Sequence, residues 1–411
     1  MTGYPGFAFE VTQTMTAEPG WPDAARRGVI TTPHGLIETP AFIFCATRGA
    51  LRGVVPSQAR AEGTQIILGN TYHLMLQPGA ERVAALGGLH AMMGWDGPML
   101  TDSGGFQIFS LGQGTGAKEI KSSRTNARDP SLLSIDENGA SFRSYVDGSK
   151  VTLRPEDSIR IQRQIGADII LVLDECTPYH VDRDYTARSM ELTHRWAQRS
   201  IEEFGRAAEG SAGPQALYGI VQGGVYDDLR RESTDFTAAQ PYFGYAVGGC
   251  LGGTAEEMDE VVALAMAPLN AATPEPRPIH LLGVGSVRDV WNGVAKGIDT
   301  FDCVNPTRLA RHGSAYLRPG LGETENGREY INLKNARFRE DDGPIDPECD
   351  CATCTSVSRA YVHHLVKAGE VNAIHLLAVH NVRFMNRLLE DVRAALTDGN
   401  FAAARDHWIH G

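Results

Sequence analysis

The chain has 411 residues, 42% hydrophobic and 21% charged, the balance of a globular protein with room for one large domain and a small appendage. No apolar run approaches the roughly 20 residues of a membrane span, and no basic-then-apolar export signal opens the chain, so the expected location is cytoplasmic. A formal net charge of −12 speaks against a broadly basic nucleic-acid binder, although an acidic body can carry one basic face.

In chain order, residues 1–40 read as an N-terminal β-hairpin, with Phe7 to Val11 alternating and Gly28–Thr32 and Leu36-Ile37 flanking the turn Pro33-His34-Gly35. Eight short apolar runs follow, each ending in polar or glycine-rich residues: Ala41–Ala46, Gln65–Gly69, Met99–Asp102, Asp168–Asp174, Leu217–Gln222, Tyr245–Gly249, His280–Gly285 and Thr300–Cys303. Segments with helical apolar spacing lie between most of them, as at Pro155–Gly166, Tyr185–Phe204, Ala255–Ala267 and Val287–Gly297. Strands alternating with helices predict an α/β fold, a closed parallel (β/α)8 (TIM) barrel over residues 41–343, with its active face at the strand C-termini. Gly112–Ala140 interrupts the rhythm as a polar excursion carrying Lys118, Lys121, Arg124 and Arg128. Residues 344–411 form a metal-binding subdomain closed by a helix from about Asn381 to Thr397.

Cys45, Cys176, Cys250 and Cys303 are scattered, whereas Cys349, Cys351 and Cys354 fall within six residues. Three clustered thiols point to metal rather than to a disulfide framework. Tetrahedral zinc needs a fourth ligand, and His363, His364, His375 and His380 are all candidates. With four protein ligands the zinc is structural, one per chain. The strand ends lack the histidine cluster that a catalytic zinc would use.

The strand ends hold Asp102 within Thr101–Gln107, Asp174-Glu175-Cys176, Gln222-Gly223-Gly224, Gly248-Gly249 and Phe301-Asp302-Cys303. Singly, such an aspartate is usually a helix cap and such a glycine pair a turn. Converging in a barrel, three carboxylates, an amide, backbone N–H groups and the Phe106 ring suit a flat base and substitution at an anomeric carbon.

Six stretches carry a closer likeness: Ile67–Gly79, Leu100–Leu111, Leu173–Tyr179, Gly219–Arg230, Phe301–Arg311 and Asp346–Cys354. In this order, over about Phe7 to Phe401, the chain resembles the bacterial-type tRNA-guanine transglycosylases. The resemblance implies that Asp302 attacks ribose C1′ of tRNA and expels the wobble guanine, leaving a covalent intermediate, with Asp102 as general acid/base. It implies that Asp174, Gln222 and the Gly249 N–H hold the base, that Phe106 stacks on it, and that Cys176, Cys250 and Gly252 line its pocket. Arg308 and Arg311 would hold the anticodon, and the zinc ligands would be Cys349, Cys351, Cys354 and His380. The partners implied are tRNA with guanine at the wobble position, a free 7-deazaguanine base and a second copy in a homodimer.

This chain departs from the usual bacterial pattern at four places. Gly248-Gly249-Cys250-Leu251-Gly252-Gly253-Thr254 replaces a segment that ends in valine, glycine and glutamate, so Gly252 stands for the valine and Thr254 for the glutamate. Leu282 replaces a methionine, Ser286 replaces a lysine, and Gly112–Ala140 is longer than its counterpart. Relatives that take the bulky base queuine also read Gly-Gly at the positions of Gly252 and Gly253, whereas Cys176 matches those that take the prequeuosine base. The incoming base is therefore the prequeuosine base or queuine.

Overall fold

Strands of a parallel sheet covered by helices are buried on both faces, so they read as continuous apolar runs rather than alternating ones. The computed structural model describes residues 3–15, 24–112, 131–178, 181–206, 210–249, 251–271, 275–318, 320 and 329–410. It begins with an antiparallel sheet of three strands, β1 (Ala8–Thr14), β2 (Arg26–Thr32) and β3 (Gly35–Thr39), where a hairpin was expected. The turn at Pro33-His34 pairs β2 with β3, and the Phe7–Val11 segment adds as an outer strand on β2.

The barrel follows. Its first strands are β4 (Ala41–Cys45), β5 (Ile66–Gly69) and β6 (Met99–Thr101). Between β6 and the next barrel strand stands a second antiparallel sheet, β7 (Leu132–Asp136), β8 (Gly139–Arg143) and β9 (Lys150–Leu153). The excursion thus continues past Ala140 to Leu153; Lys118, Lys121, Arg124 and Arg128 lie outside the described residues. The barrel resumes with β10 (Ile169–Leu171), β11 (Ala216–Val221), β12 (Gly244–Val247), β13 (Ile279–Leu281) and β14 (Thr300–Cys303). The order β4-β5-β6-β10-β11-β12-β13-β14 closes on itself in parallel, and every residue of these eight strands is buried. The helices Pro155–Ile165, Arg183–Arg206, Ala255–Ala271 and Val287–Ala295 occupy the positions their spacing predicted.

After the barrel, β15 (Ser314–Tyr316) and β16 (Tyr330–Asn332) form a two-stranded ribbon. The closing helix runs from Val371 to Asp398, ten residues longer at its start than expected, and a further helix covers Phe401–His410. The buried stripe of Ala373, Leu377 and Ala378 continues the apolar face of Val382, Met385 and Leu389, so one helix both bears His380 and packs on the barrel. Among the described residues no helix is long and apolar enough to cross a membrane.

The N-terminal sheet lies across the N-terminal ends of the barrel strands, and two buried acids fasten it there. Asp299, just before β14, is fully buried and accepts Arg26 Nε (2.9 Å) and Nη2 (2.6 Å) as well as the Ile279 N–H (2.8 Å). Asp168, just before β10, accepts the Met99 N–H at 2.8 Å and faces His34 Nδ1 at 2.7 Å and His90 Nε2 at 3.3 Å. The His34 and His90 rings stack at 3.8 Å and 13°, and their nitrogens face different oxygens of Asp168. These contacts latch the sheet to the barrel, and the bond to Asp168 holds the His34 ring more basic than usual. Removing one partner of a buried ion pair leaves an uncompensated charge. Arg26→Met should therefore destabilise the fold by about 3–5 kcal/mol, read as a lower urea midpoint; a midpoint equal to wild type would show that Asp299 is satisfied without Arg26.

Candidate active site and metal centre

The three carboxylates expected at strand ends are brought together at the C-terminal end of the barrel. Asp102, directly after β6, accepts the Thr71 N–H on Oδ1 (2.7 Å) and the amides of Asn70 (2.6 Å) and Gln107 (2.7 Å) on Oδ2. Burial nevertheless pushes its carboxyl up to about 6, and the charge of Asp302 adds to the rise. Asp174, beyond β10, accepts Ser103 Oγ (2.9 Å) and Gln222 Nε2 (2.6 Å). Its carboxyl is also pushed up to about 6, by burial first and then by Asp102. Asp302, within β14, accepts the Gly283 N–H at 2.8 Å. Asp102 thus feels the charge of Asp302, and Asp174 that of Asp102, as acids sharing one pocket do. A carboxyl near 6 gains and loses a proton close to neutral pH, which suits general acid/base work.

The amide side of the pocket is equally constrained. Gln222 hangs from the end of β11, its own N–H bonded to Ser233 Oγ at 2.8 Å. Gly249 has φ +75°, and a Cβ there would lie 2.3 Å from Gln222 Oε1, so only glycine lets this backbone approach the amide. Arg230, fully buried, donates to the carbonyls of Gly224 (2.9 and 2.7 Å) and Gly248 (2.8 Å), clamping two strand-end turns against each other. Phe106 stands 59% exposed in the first turn of the helix Gly105–Gly112, as a ring awaiting a stacking partner would. Cys176 is buried beyond Asp174. Arg308 and Arg311 lie, half-buried, on the helix Asn305–Arg311 that leaves the strand bearing Asp302. Gly252 has φ +111°, and a Cβ there would meet the Glu257 side chain at 2.8 Å; Glu257 Oε2 also accepts the Gly253 N–H. Cys250 lies outside the described residues.

Asn70, Ser103, Arg230 and His280 are functional neighbours that the sequence reading passed over. His280 sits in β13 with its Nε2 3.2 Å from Asp302 Oδ1. Alternation along the strand was its signal, because it fixes which residues of β13 and β14 share the barrel interior.

Cys349, Cys351, Cys354 and His380 place four ligand atoms within 4.8 Å of one another. His380 Nδ1 is 3.3 Å from Cys354 Sγ and 3.7 Å from Cys351 Sγ. Metal–sulfur bonds of about 2.3 Å and metal–nitrogen bonds of about 2.1 Å give tetrahedron edges of roughly 3.6–3.8 Å, close to these separations, so the group fits a tetrahedral ion. The tautomer fits as well. His380 Nε2 lies 2.8 Å from the Tyr316 carbonyl, which can only accept, so the ring hydrogen is on Nε2 and the Nδ1 lone pair faces the sulfurs. Two of the rival histidines are engaged elsewhere, His363 Nδ1 with the Leu333 carbonyl and His375 Nδ1 with that of Gly53, each at 2.7 Å.

Fold and site together define a (β/α)8-barrel enzyme with a three-carboxylate pocket and a Cys3His metal-ligating cluster in its C-terminal region. The family model described as queuine tRNA-ribosyltransferase matches residues 23–411. A protein of that name from Roseiflexus sp. (strain RS-1) is 48% identical over 393 residues, covering 94% of this chain and 96% of the relative. Those from Aromatoleum aromaticum and Zymomonas mobilis subsp. mobilis are 45% and 43% identical, covering 92% and 98% of this chain and 93% and 94% of the relatives. The chain belongs to the queuine tRNA-ribosyltransferase family and is a glycosyltransferase-type enzyme.

Proposed function

We propose that this enzyme exchanges the wobble guanine of tRNA for a free 7-deazaguanine base through a covalent Asp302–ribose intermediate. The observation that carries the reading is the gathering of Asp102, Asp174 and Asp302 at the strand ends of a barrel of this family, with Asp102 and Asp174 poised near 6. In the first step a carboxylate oxygen of Asp302 bonds to C1′ as the C1′–N9 bond breaks. The electron pair leaves on guanine, which takes a proton from Asp102. In the second step N9 of the incoming base attacks C1′, the C1′–O bond breaks and Asp102 recovers the N9 proton. Asp174 pairs with the amidine-like edge of the base, Gln222 and the Gly249 N–H bind its carbonyl, and Phe106 stacks on it. Cys176 and Gly252 line the pocket, while Arg308 and Arg311 hold the anticodon. Zinc on Cys349, Cys351, Cys354 and His380 is structural and takes no part in the exchange. The working protein is a cytoplasmic homodimer, organised as N-terminal sheet (1–40), catalytic barrel (41–343) and zinc-bearing segment (344–411). A denaturing gel of enzyme, tRNA and a competing base tests the reading: a tRNA–protein adduct must appear, and its absence overturns it.

The accepted bases include queuine, on the ground that Gly252 and Thr254 remove the isopropyl group and the carboxylate expected beside a small aminomethyl substituent. Wild type should release labelled guanine from tRNA with queuine as well as with the prequeuosine base. Gly252→Val is strained at its positive φ whichever base is offered, so the readout is the ratio of the two exchange rates. Overpacking by about 1–3 kcal/mol should shift that ratio against queuine by roughly 5- to 150-fold. Rejection of queuine by wild type would leave the prequeuosine base as substrate.

A further inference from the structure

Asp302 is held by more than the backbone. The register of β13 and β14 pairs His280 with Thr300, and alternation puts Thr300 and Asp302 on the same face of β14. His280 is fully buried between them, with Nδ1 2.9 Å from Thr300 Oγ1 and Nε2 3.2 Å from Asp302 Oδ1. A carboxylate only accepts, so Nε2 carries a hydrogen toward Asp302, and with the ring neutral the Thr300 hydroxyl donates to Nδ1. Gly283 N–H donates to the same Oδ1 at 2.8 Å. The other oxygen, Oδ2, faces the Cys45 thiol at 3.5 Å, and a thiol is a weak donor.

The two oxygens are therefore unequal. Oδ1 shares its electron density with two N–H donors, while Oδ2 keeps its lone pairs nearly intact. Rotation about the terminal torsion of a carboxyl is soft, and two donors on one oxygen suppress it. We infer that His280, oriented by Thr300, is a positioning residue that pins Oδ1 of Asp302 and presents Oδ2 as the attacking atom. This rests on the reading of Asp302 as nucleophile. Thr300 acts only through the imidazole, so its contribution exists only while His280 is present.

The test compares His280→Leu, His280→Gln, Thr300→Val and the two double variants with Thr300→Val. The measured quantities are the single-turnover rate of covalent adduct formation and KM for tRNA. A misplaced nucleophile costs on the order of 10²-fold, so His280→Leu should lower the adduct rate by about 10- to 100-fold with KM little changed. Gln offers an N–H near the place of Nε2 and should recover most of the rate. Thr300→Val should slow the enzyme when His280 is present and change nothing in the Leu or Gln background. A wild-type rate in His280→Leu, or a Thr300→Val loss that adds to either His280 variant, overturns the inference. Should His280→Leu fail to fold, the Gln background alone decides it. An Asp302→Asn enzyme that still forms adduct would sink the nucleophile reading itself. An inactive Asp302→Asn beside a fully active His280→Leu would sink only the inference.

Discussion

Asp302→Asn is expected to abolish guanine exchange and the covalent tRNA adduct together, while tRNA still binds. The substitution preserves shape. The amide oxygen can still accept from the Gly283 N–H, which bonds Oδ1 at 2.8 Å in wild type, so β14 and the helix Asn305–Arg311 should keep their places. An amide, however, lacks the charge needed to displace guanine from C1′. Loss of a covalent nucleophile costs on the order of 10⁶ in turnover in a well-studied hydrolase, which would put exchange below detection here. tRNA binding by filter retention should fall little, since Arg308 and Arg311 are untouched. An adduct that persists in Asp302→Asn would move the nucleophile to another side chain. Asp102→Asn would separate the roles further. It should slow exchange by less, in the 10²–10⁴ range of a lost general acid/base, and leave adduct chemistry possible.

The carboxylates were legible in the sequence because each ends an apolar run, and in a parallel barrel strand ends gather on one face. The same rule placed Gln222 and Gly249, and the structure sets them in contact. What stayed hidden depends on register or on distance in sequence. His280 sits inside an apolar run and becomes informative only once β13 is set against β14. Arg230 lies on the helix Asp227–Ala238, where an arginine normally faces water; its burial follows from two glycine turns whose carbonyls need donors. The latch of His34, His90 and Asp168 joins three segments far apart in the chain. The sheet β7–β9 escaped because its strands are partly exposed and only β8 is mostly buried, so no apolar run announces it. The closing helix begins at Val371, ten residues before the expected start, because the helical stripe runs on through His380 instead of starting after it. His380 sits in mid-helix, where its ring reaches the cysteine loop on one side and the Tyr316 carbonyl on the other.

That placement gives the cysteine loop a larger structural role than its length suggests. Cys351 is fully buried and Cys349 nearly so, and the Ala352 N–H donates to Glu62 beside the first barrel helix, Pro56–Ala61. On the other side, His380 is joined through Tyr316 to the ribbon that follows the helix bearing Arg308 and Arg311. Asn381, the next residue, donates to the Pro306 carbonyl inside that arginine helix and accepts the Tyr316 N–H. Metal binding to such a site is folding free energy, so removing one thiolate should both release the ion and loosen the helix that carries Arg308 and Arg311, the arginines proposed to hold tRNA. Cys351→Ala is therefore expected to lose the proposed zinc, from about one ion per chain to almost none by mass-spectrometric metal analysis. Its thermal midpoint should fall well below that of wild type, and chelation of wild type should reproduce the shift. Because Asp102, Asp174 and Asp302 hang from barrel strands, the damage should fall on tRNA affinity more than on the chemistry of bound tRNA. KM for tRNA should rise while the single-turnover rate at saturating tRNA holds. A Cys351→Ala protein that keeps its metal, or a wild type that melts identically with and without chelator, would show that these four side chains do not form the ion-dependent support of the arginine helix.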